Sequence, residues 1–322
     1  KYNADSNGGN ISFKVDRSSI RQGNAVIAIK DVSDAILWSW HVWVTDEDIN
    51  NVIEITNHQN VKYNFMPVNL GQCDGNTITY EERSCKVKFI AGDQSKEITI
   101  KQLANVIATG SNAPFYQWGR KDPLYPSNGM GNTTKIWYDK EGIPSTANPM
   151  KGTFSAGNDC IKNCILNPNL MHNRYNGDYT YYNLWSADNK TTSANDNPVN
   201  KTIYDPCSVG FKLPASNAFT GFTTTGESVS SSTQVNGTWS SSEKGWYFYT
   251  NSEKTQSIFF PALGYRSYST MRPGSIGTQG CFWSAHPVAK GNNYYLRTSS
   301  VDVQPTYMVD RGFGYALRPC QD

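Results

Sequence analysis

The fold is decided by Tyr204-Asp205-Pro206-Cys207-Ser208-Val209-Gly210-Phe211-Lys212-Leu213-Pro214 and by the closing segment Gly312-Phe313-Gly314-Tyr315-Ala316-Leu317-Arg318-Pro319-Cys320. Between these two segments lie Ala262-Leu263-Gly264-Tyr265-Arg266 and Cys281-Phe282-Trp283-Ser284-Ala285. This region also contains short strand-like pieces that Gly and Pro separate, namely Trp246–Tyr249, Ser257–Phe260, Phe282–Ser284, Tyr294–Arg297 and Gly314–Leu317. The pattern predicts a β-rich structure with little regular helix.

The bulk composition excludes some classes of function. A chain of 322 residues can bury one large core or two medium ones. The net charge is +2, and Lys and Arg are scattered rather than clustered, so we expect no nucleic-acid partner. Charged residues make up 17%, below the usual value of roughly 25%. Uncharged polar residues, 19 Tyr and 9 Trp replace them, a composition common on secreted proteins that contact sugars or other proteins.

The sequence also bears on compartment. No apolar run approaches the ~20 residues needed to span a membrane. The absence of an initiator Met and a signal peptide indicates a processed protein or a trimmed chain. Seven cysteines suit an oxidising compartment if most of them pair, and the odd number leaves at least one thiol.

The N-terminal third has clear strand signals. Ala25–Ile29 is a short apolar run, and Ile36–Val44 has bulky residues on both faces, which predicts a strand that is buried on both sides or meets another layer. Cys85–Phe89 and Glu97–Lys101 alternate cleanly around a polar turn, which predicts a β-hairpin with one solvated face.

Helix signals are few. Asn158 or Asp159 is placed to cap a short helix that runs through Leu166 and stops at Pro168. Long loops are expected at residues 123–158 and 187–202, where Gly, Pro, Asn and Lys show little periodicity.

The C-terminal segments resemble the major paralogous domain family of Bacteroidetes and Fibrobacter surface proteins. That family is similar in fold to C-type lectins and to the formylglycine-generating sulfatase-modifying factors. Its ordered motifs correspond here to Cys207-Ser208-Val209-Gly210-Phe211-Lys212-Leu213-Pro214, to Ala262-Leu263-Gly264-Tyr265-Arg266, to Phe282-Trp283-Ser284-Ala285 and to the closing Gly312–Cys320 segment. The match covers about 115 residues.

A further segment of that family is similar to Tyr63-Asn64-Phe65-Met66-Pro67-Val68-Asn69-Leu70-Gly71. Two other segments resemble Bacteroides fimbrillin-like proteins: Leu37-Trp38-Ser39-Trp40-His41-Val42-Trp43 and Phe115-Tyr116-Gln117-Trp118-Gly119-Arg120-Lys121-Asp122-Pro123. Two domain divisions follow. In one, residues 1–106 form a β-rich, sandwich-like region and residues 107–322 form the lectin-like domain. In the other, residues 25–322 form one elaborated lectin-like unit, with the segment Cys73–Lys101 as a β insertion.

The resemblance implies an α+β, β-rich C-type-lectin-like fold with long loops. It also implies a protein of the bacterial cell surface or fimbrium, associated with the outer membrane as a lipoprotein or pilus subunit. Its expected role is that of an accessory or tip subunit in cell adhesion, with a glycan, a host surface protein or another pilus subunit as partner. The resemblance further implies a disulfide between Cys207 and Cys320 that closes the fold.

Other cysteines have local candidates for pairing. Cys73 and Cys85 flank the polar turn Asp74-Gly75-Asn76, a spacing that allows a hairpin-type disulfide. Cys160 and Cys164 would share a helix face, either as a disulfide or as buried thiols. Their spacing, even with His172 nearby, fits no standard zinc pattern, so we expect no metal site. Cys281 is the expected unpaired thiol.

Calcium-dependent and catalytic members of these folds have motifs that this chain lacks. Calcium-binding lectins use Glu-Pro-Asn or Gln-Pro-Asp with Trp-Asn-Asp, whereas Gln304-Pro305 is followed here by Thr306 and no Trp-Asn-Asp occurs. No segment matches the reactive cysteine pair of the sulfatase-modifying enzymes. We therefore expect a protein without cofactor or enzymatic activity. The alternatives are an enzyme related to those factors and a purely structural pilin that accepts a donated strand.

Two regions supply candidate ligand contacts. The segment from Ser267 to Pro273 corresponds to the ligand-facing long loop of C-type-lectin-like folds, and it gives Tyr268, Arg272 and, beyond it, Gln279. The second region is an aromatic cluster with Tyr179, Tyr181 and Trp185 in a polar loop. Aromatic faces stack on sugar rings and serve as hot spots for proteins, although local packing that holds the loop is the alternative.

Overall fold

The computed structural model describes residues 2–5, 8–20, 22–73, 78–107, 113–124, 137–138, 143–145, 153–154, 159–173, 181–188, 191–289 and 291–322. Within these ranges the chain forms 26 strands, one α-helix and three 3-10 helices. All strand pairings except β14 with β15 are antiparallel. The prediction of a β-rich chain is confirmed.

The strands are short. The N-terminal strands are β1 (Tyr2–Asp5), β2 (Gly8–Ile11), β3 (Gly23–Lys30), β4 (Ile36–Val44), β5 (Ile53–Thr56), β6 (Lys62–Phe65), β7 (Ile78–Tyr80), β8 (Arg83–Ala91), β9 (Gln94–Gln102) and β10 (Asn105–Ile107). The central strands are β11 (Tyr116–Gln117), β12 (Trp137–Tyr138), β13 (Pro144–Ser145), β14 (Thr153–Phe154), β15 (Met171–His172) and β16 (Phe211–Lys212). The C-terminal strands are β17 (Gly237–Ser240), β18 (Gly245–Tyr249), β19 (Ser257–Pro261), β20 (Tyr265–Arg266), β21 (Pro273–Gly274), β22 (Gly280–Pro287), β23 (Asn292–Thr298), β24 (Val303–Asp310), β25 (Gly314–Tyr315) and β26 (Cys320–Gln321).

The helices are α1 (Cys160–Leu166) and the 3-10 helices Arg17–Ser19, Ser216–Phe222 and Ser232–Gln234. The predicted short helix is therefore confirmed, and it ends before Pro168. Its N-cap residue, Asp159, makes no side-chain capping hydrogen bond, so the expected capping interaction is absent. None of the helices in the described ranges is long and apolar enough to cross a membrane.

Strands from distant parts of the chain form the sheets around the core. One sheet has the order β16-β26-β6-β5 and a second has the order β11-β25-β20-β21, so each combines early and late segments. Two three-stranded sheets, β17-β18-β19 and β22-β23-β24, follow the chain order. Residues 52–70 thus pair and pack with the C-terminal segments and share their hydrophobic clusters.

Aromatic side chains fill the first of two hydrophobic clusters. Phe222 stacks on Phe248 with ring centroids 3.9 Å apart, and Phe260 meets both rings edge-on. Phe65 from β6 and Phe282 from β22 contact Phe260 from opposite ends of the sequence. Since burying one such ring stabilises a fold by about 1.5–3 kcal/mol, this cluster holds the sheets together without long regular elements.

The segments around Cys207 and Cys320 are joined by backbone pairing. Lys212 of β16 lies opposite Cys320 of β26, and Cys320 lies opposite Phe65 of β6. Lys201 donates hydrogen bonds to the carbonyl oxygens of Cys207, Ser208 and Phe211 at 2.5, 2.9 and 2.7 Å. The two segments expected to close the fold therefore meet, and strand pairing connects them.

Two long hairpins, β3–β4 and β8–β9, lie in the N-terminal part. The predicted hairpin forms as β8 and β9, with Cys85 opposite Ile100. Burial of Ile36–Val44 on both sides is wrong, because among the described residues β4 pairs only with β3 and Trp40 is 40% exposed. The alternative, contact with another layer, is confirmed, because Trp43 packs against the second hydrophobic cluster. Ser39 is the fully buried residue of β4, and it donates a hydrogen bond to Asp122 at 2.8 Å.

Candidate ligand-binding surface

A rigid loop connects β20 to β21. The Ser267 N–H donates to the Arg272 carbonyl at 2.9 Å, and the Met271 N–H donates to the Ser267 carbonyl at 2.8 Å. Arg266 is buried, and its guanidinium donates to the Met271 carbonyl at 2.5 Å. Met271 has a φ of 58°, a left-handed conformation that such a tight loop requires. The buried guanidinium of Arg266 and the two backbone hydrogen bonds therefore hold the loop in one conformation before any ligand binds.

Three half-buried rings lie beside this loop. Phe313 meets Tyr265 at 5.4 Å and Tyr268 at 4.8 Å, both edge-on, and it stacks on the buried ring of Tyr315 at 5.8 Å. Tyr265, Tyr268 and Phe313 are called the aromatic surface below. Edge-on pairs of this kind fix ring orientation, so the exposed parts of the rings keep a defined shape.

Two glycines allow this close packing. Gly264 has a φ of +74°, and a Cβ at this position would lie 2.1 Å from the Gly274 carbonyl oxygen. A Cβ at Gly312 would lie 3.1 Å from the Cβ of Tyr268. Both positions let backbone segments approach directly beneath the rings.

The structure places the predicted loop residues as follows. Tyr268 belongs to the aromatic surface, and Arg272 is exposed at the end of the same loop. Gln279 is half-buried beyond β21, and its carbonyl accepts a hydrogen bond from the Gly264 N–H at 2.7 Å. Tyr268 and Arg272 are thus brought together in one loop, whereas Gln279 has a backbone role at the start of β22.

The second predicted cluster has a different place. Trp185 is fully buried, where its indole N–H donates to the carbonyls of Arg120 and Tyr204 at 3.2 and 3.0 Å. It packs against Trp118 at 5.3 Å and is a core residue, so it cannot contact a ligand in this structure. Tyr181 is half-buried, and Tyr179 lies outside the described residues.

Arg311 connects the Tyr181 segment to the aromatic surface. Its guanidinium donates to the Tyr181 carbonyl at 2.6 Å and to Asn293, and it lies 4.2 Å above the Trp118 ring. The next residues, Gly312 and Phe313, reach Tyr268. Tyr265, Phe313 and Arg311 were not predicted from the sequence as site residues, although Tyr265 and Phe313 belong to the segments that carried the family resemblance.

The structure contains none of the three expected disulfides, and these pairings stay predictions. Cys73 and Cys85 do not flank one hairpin, because β7 pairs with β10 and β8 pairs with β9. Cys160 and Cys164 lie one helical turn apart, and a hydrogen bond between the two side chains, together with burial, raises the pKa of the Cys164 thiol well above its usual range. Cys281 is buried, which raises the pKa of its thiol to about 12.

Cys320 lies close enough to Cys207 to affect the pKa of the Cys207 thiol. Burial raises the pKa of the Cys207 thiol, with further contributions from Asp205 and from Cys320. Burial also raises the pKa of Cys320, to about 12. Two buried thiols with raised pKa values are the opposite of a reactive, low-pKa cysteine pair.

One polar cluster has the residue types of a hydrolase. Ser216 Oγ lies 3.2 Å from His286 Nδ1, and Asp196 is near enough to affect the pKa of His286. Ser216 and His286 are both fully buried, and Ser216 Oγ also bonds the backbone of Asn195. No substrate can reach these buried atoms. The hydrogen bonds between Ser216 and Asn195 instead connect the loop around Asn195 to the core.

One small cavity lies between α1 and the Trp118–Asp122 segment. A cavity of about 20 Å³, lined by Trp118, Arg120, Cys160, Cys164, His172 and Tyr204 among others, has room for roughly one water molecule. Among the described residues no group of three or more His, Cys, Asp or Glu side chains could hold a metal ion.

Comparisons with known proteins leave the class of the chain open. No protein-family model matches the sequence, no curated protein matches it, and no solved structure matches the fold. The family resemblance therefore depends on the sequence segments alone.

Proposed function

We propose that this chain is an extracellular, non-enzymatic binding module of a bacterial surface or fimbrial accessory protein. The observation that carries the proposal is the rigid loop that presents Tyr268 and Arg272 beside Phe313. Aromatic faces next to an exposed guanidinium suit a glycan or a protein ligand, because rings stack on sugar faces and Arg donates several hydrogen bonds. A preorganised loop also loses little conformational entropy on binding.

The lectin-like scaffold is part of the same proposal. It is supported by the antiparallel sheets and by the pairing of β16 with β26. In this arrangement the scaffold fixes the ends of the loops, and the loop side chains determine which ligand binds.

The enzyme alternative has less support. The thiols of Cys207 and Cys320 have raised pKa values, and the Ser216–His286 pair is inaccessible. A nucleophile must be accessible and activated for covalent catalysis, and neither pair meets both conditions.

A ligand screen tests the proposal. The purified chain is applied to arrays of immobilised glycans and extracellular-matrix proteins, with calcium and with EDTA. We expect binding to at least one class of ligand, and we expect it to persist in EDTA because the chain lacks the calcium-binding lectin triplets. No binding to any array, together with turnover of a peptidyl-cysteine substrate, would overturn the proposal.

A further inference from the structure

The β8–β9 hairpin exposes an apolar face. In its register Cys85 lies opposite Ile100, Val87 opposite Ile98 and Phe89 opposite Lys96. Directly opposite residues share a face, so the five apolar side chains form one strip. Phe89, Ile98 and Ile100 are 53%, 43% and 51% exposed.

We expect the apolar face of such a hairpin to be buried against another surface. A two-stranded sheet is at best marginally stable alone in water, and β8 pairs with no strand other than β9 among the described residues. Each strand has nine residues, so the exposed face is about 30 Å long. A long exposed apolar face of this kind is a typical site of association.

The apolar face of the hairpin is also basic. Its charged side chains are Arg83 and Lys96, whereas Asp93 lies in the turn and the opposite face carries Lys86, Lys88, Glu97 and Lys101. Lys96 lies at the end of the apolar strip, opposite Phe89. The preferred partner is therefore an apolar surface with acidic surroundings.

The β3–β4 hairpin provides a surface of that description. Ala25 lies opposite Val42 and Ile27 opposite Trp40, so these four side chains share a face, and Ala25 and Trp40 are exposed. Between Gly23 and Asp48 the chain has one Lys and five acidic residues. The acidic residues are Asp31 and Asp34 in the turn, and Asp46, Glu47 and Asp48 at the other end.

Within one molecule the two hairpins meet only near their bases in the contacts that the structure describes. The Tyr80 hydroxyl donates to the Gln22 carbonyl at 3.2 Å, and Arg83 donates to the Ser18 carbonyl at 3.3 Å. With these contacts made, both apolar faces stay exposed. We propose that the apolar face of β8–β9 docks on the β3–β4 hairpin of a second copy of this chain.

This contact joins two different surfaces, so it closes into a dimer if both contacts form between the same two molecules and otherwise gives an open chain. One hairpin face covers about 300 Å², below the roughly 800 Å² per partner of a stable interface. Association should therefore be weak and should depend on protein concentration and salt.

Charge exchange tests the pairing. We expect the wild-type chain to associate in sedimentation velocity at high micromolar concentration. The variants Lys96→Glu and Asp46→Lys/Glu47→Lys should each remain monomeric, and an equimolar mixture of the two should associate again. Recovery in the mixture requires that the basic hairpin of one molecule meet the acidic hairpin of another.

The apolar contact has its own test. Phe89→Thr/Ile100→Thr should raise the dissociation constant at least tenfold, whereas Val209→Thr, at a side chain that is 98% exposed, should leave it unchanged. Alkylation of Cys85, followed by peptide mass spectrometry, should slow as the wild-type concentration rises. The proposal would be overturned if the wild-type chain stayed monomeric at all concentrations, whether or not Cys85 reacted with the alkylating reagent.

Discussion

Buried cations hold many of the irregular segments of this protein. Arg318 is 1% exposed and donates to the carbonyls of Met66, Pro67 and Phe259 at 3.2, 2.8 and 2.7 Å, and to the Asn69 side chain at 2.8 Å. Arg120, Arg311 and Lys201 bond loop carbonyls in the same way. Buried carbonyls outside regular sheets need donors, and a guanidinium supplies five in a fixed geometry. Burial lowers the pKa of Arg318 to about 9.

Buried histidines make the stability depend on pH. His286 Nδ1 accepts a hydrogen bond from the Ser216 N–H at 3.2 Å, so this nitrogen must be unprotonated. Burial lowers the pKa of His286 to about 4, below the 6.5 of an unfolded chain. The unfolded state thus binds the proton more readily than the folded state does. The contribution of neutral His286 to the free energy of unfolding is complete above pH 6.5 and is lost as the pH falls towards 4.

We therefore predict that the free energy of unfolding falls between pH 7 and pH 4.5, with His286 contributing on the order of 2 kcal/mol to the change. His286→Gln, which can still accept the Ser216 hydrogen bond, should show a smaller fall. Denaturant unfolding at the two pH values measures both. An equal fall in the wild type and the variant would show that His286 does not contribute.

The closure of the fold belongs to the scale of elements. The resemblance implied a Cys207–Cys320 disulfide, whereas the structure closes the fold by pairing β16 with β26 and β26 with β6. A salt bridge of 2.9 Å connects Lys212 of β16 to Asp322, the residue after β26. Strand pairing and buried hydrogen-bond donors thus connect the two segments that the disulfide was expected to connect.

The thiol content distinguishes the two kinds of closure. Alkylation of the unfolded chain without reductant, followed by intact mass measurement, should give seven modified cysteines. Five modified cysteines would indicate one disulfide, and peptide mapping would show whether it joins Cys207 to Cys320. Such a bond would add about 4–5 kcal/mol in the chain-entropy model.

Local elements were easier to predict than their partners. The β8–β9 hairpin and α1 follow from alternation and helix signals within about 20 residues of sequence. The pairing of β6 with β26 joins residues more than 250 positions apart, and nothing in either short strand specifies the other. The exposure of β4 was missed because its bulky residues on both faces gave no information on which neighbours would cover them.

At the scale of the whole molecule, the candidate site is assembled from segments that the sequence keeps apart. Tyr268 and Arg272 were predicted from their place in a loop, whereas Phe313 was not, because only the fold brings β25 beside that loop. Trp185 was predicted to contact a ligand because it lies in a polar segment, but its indole is buried and packs against Trp118. Composition alone cannot distinguish an aromatic residue that binds a ligand from one that holds a loop in place.

The central claim is that the aromatic surface binds the ligand, and the most direct measurement is the affinity of variants for the ligand that binds best in the screen. Tyr268→Ala should weaken binding at least tenfold, and Arg272→Ala, which removes no core packing, should weaken it several-fold. Tyr249→Ala, at another half-buried tyrosine in β18, is the matched control and should change affinity less than twofold. Thermal unfolding checks that each variant is folded. If folded Tyr268→Ala and Arg272→Ala variants bind as tightly as the wild type, the claim is contradicted.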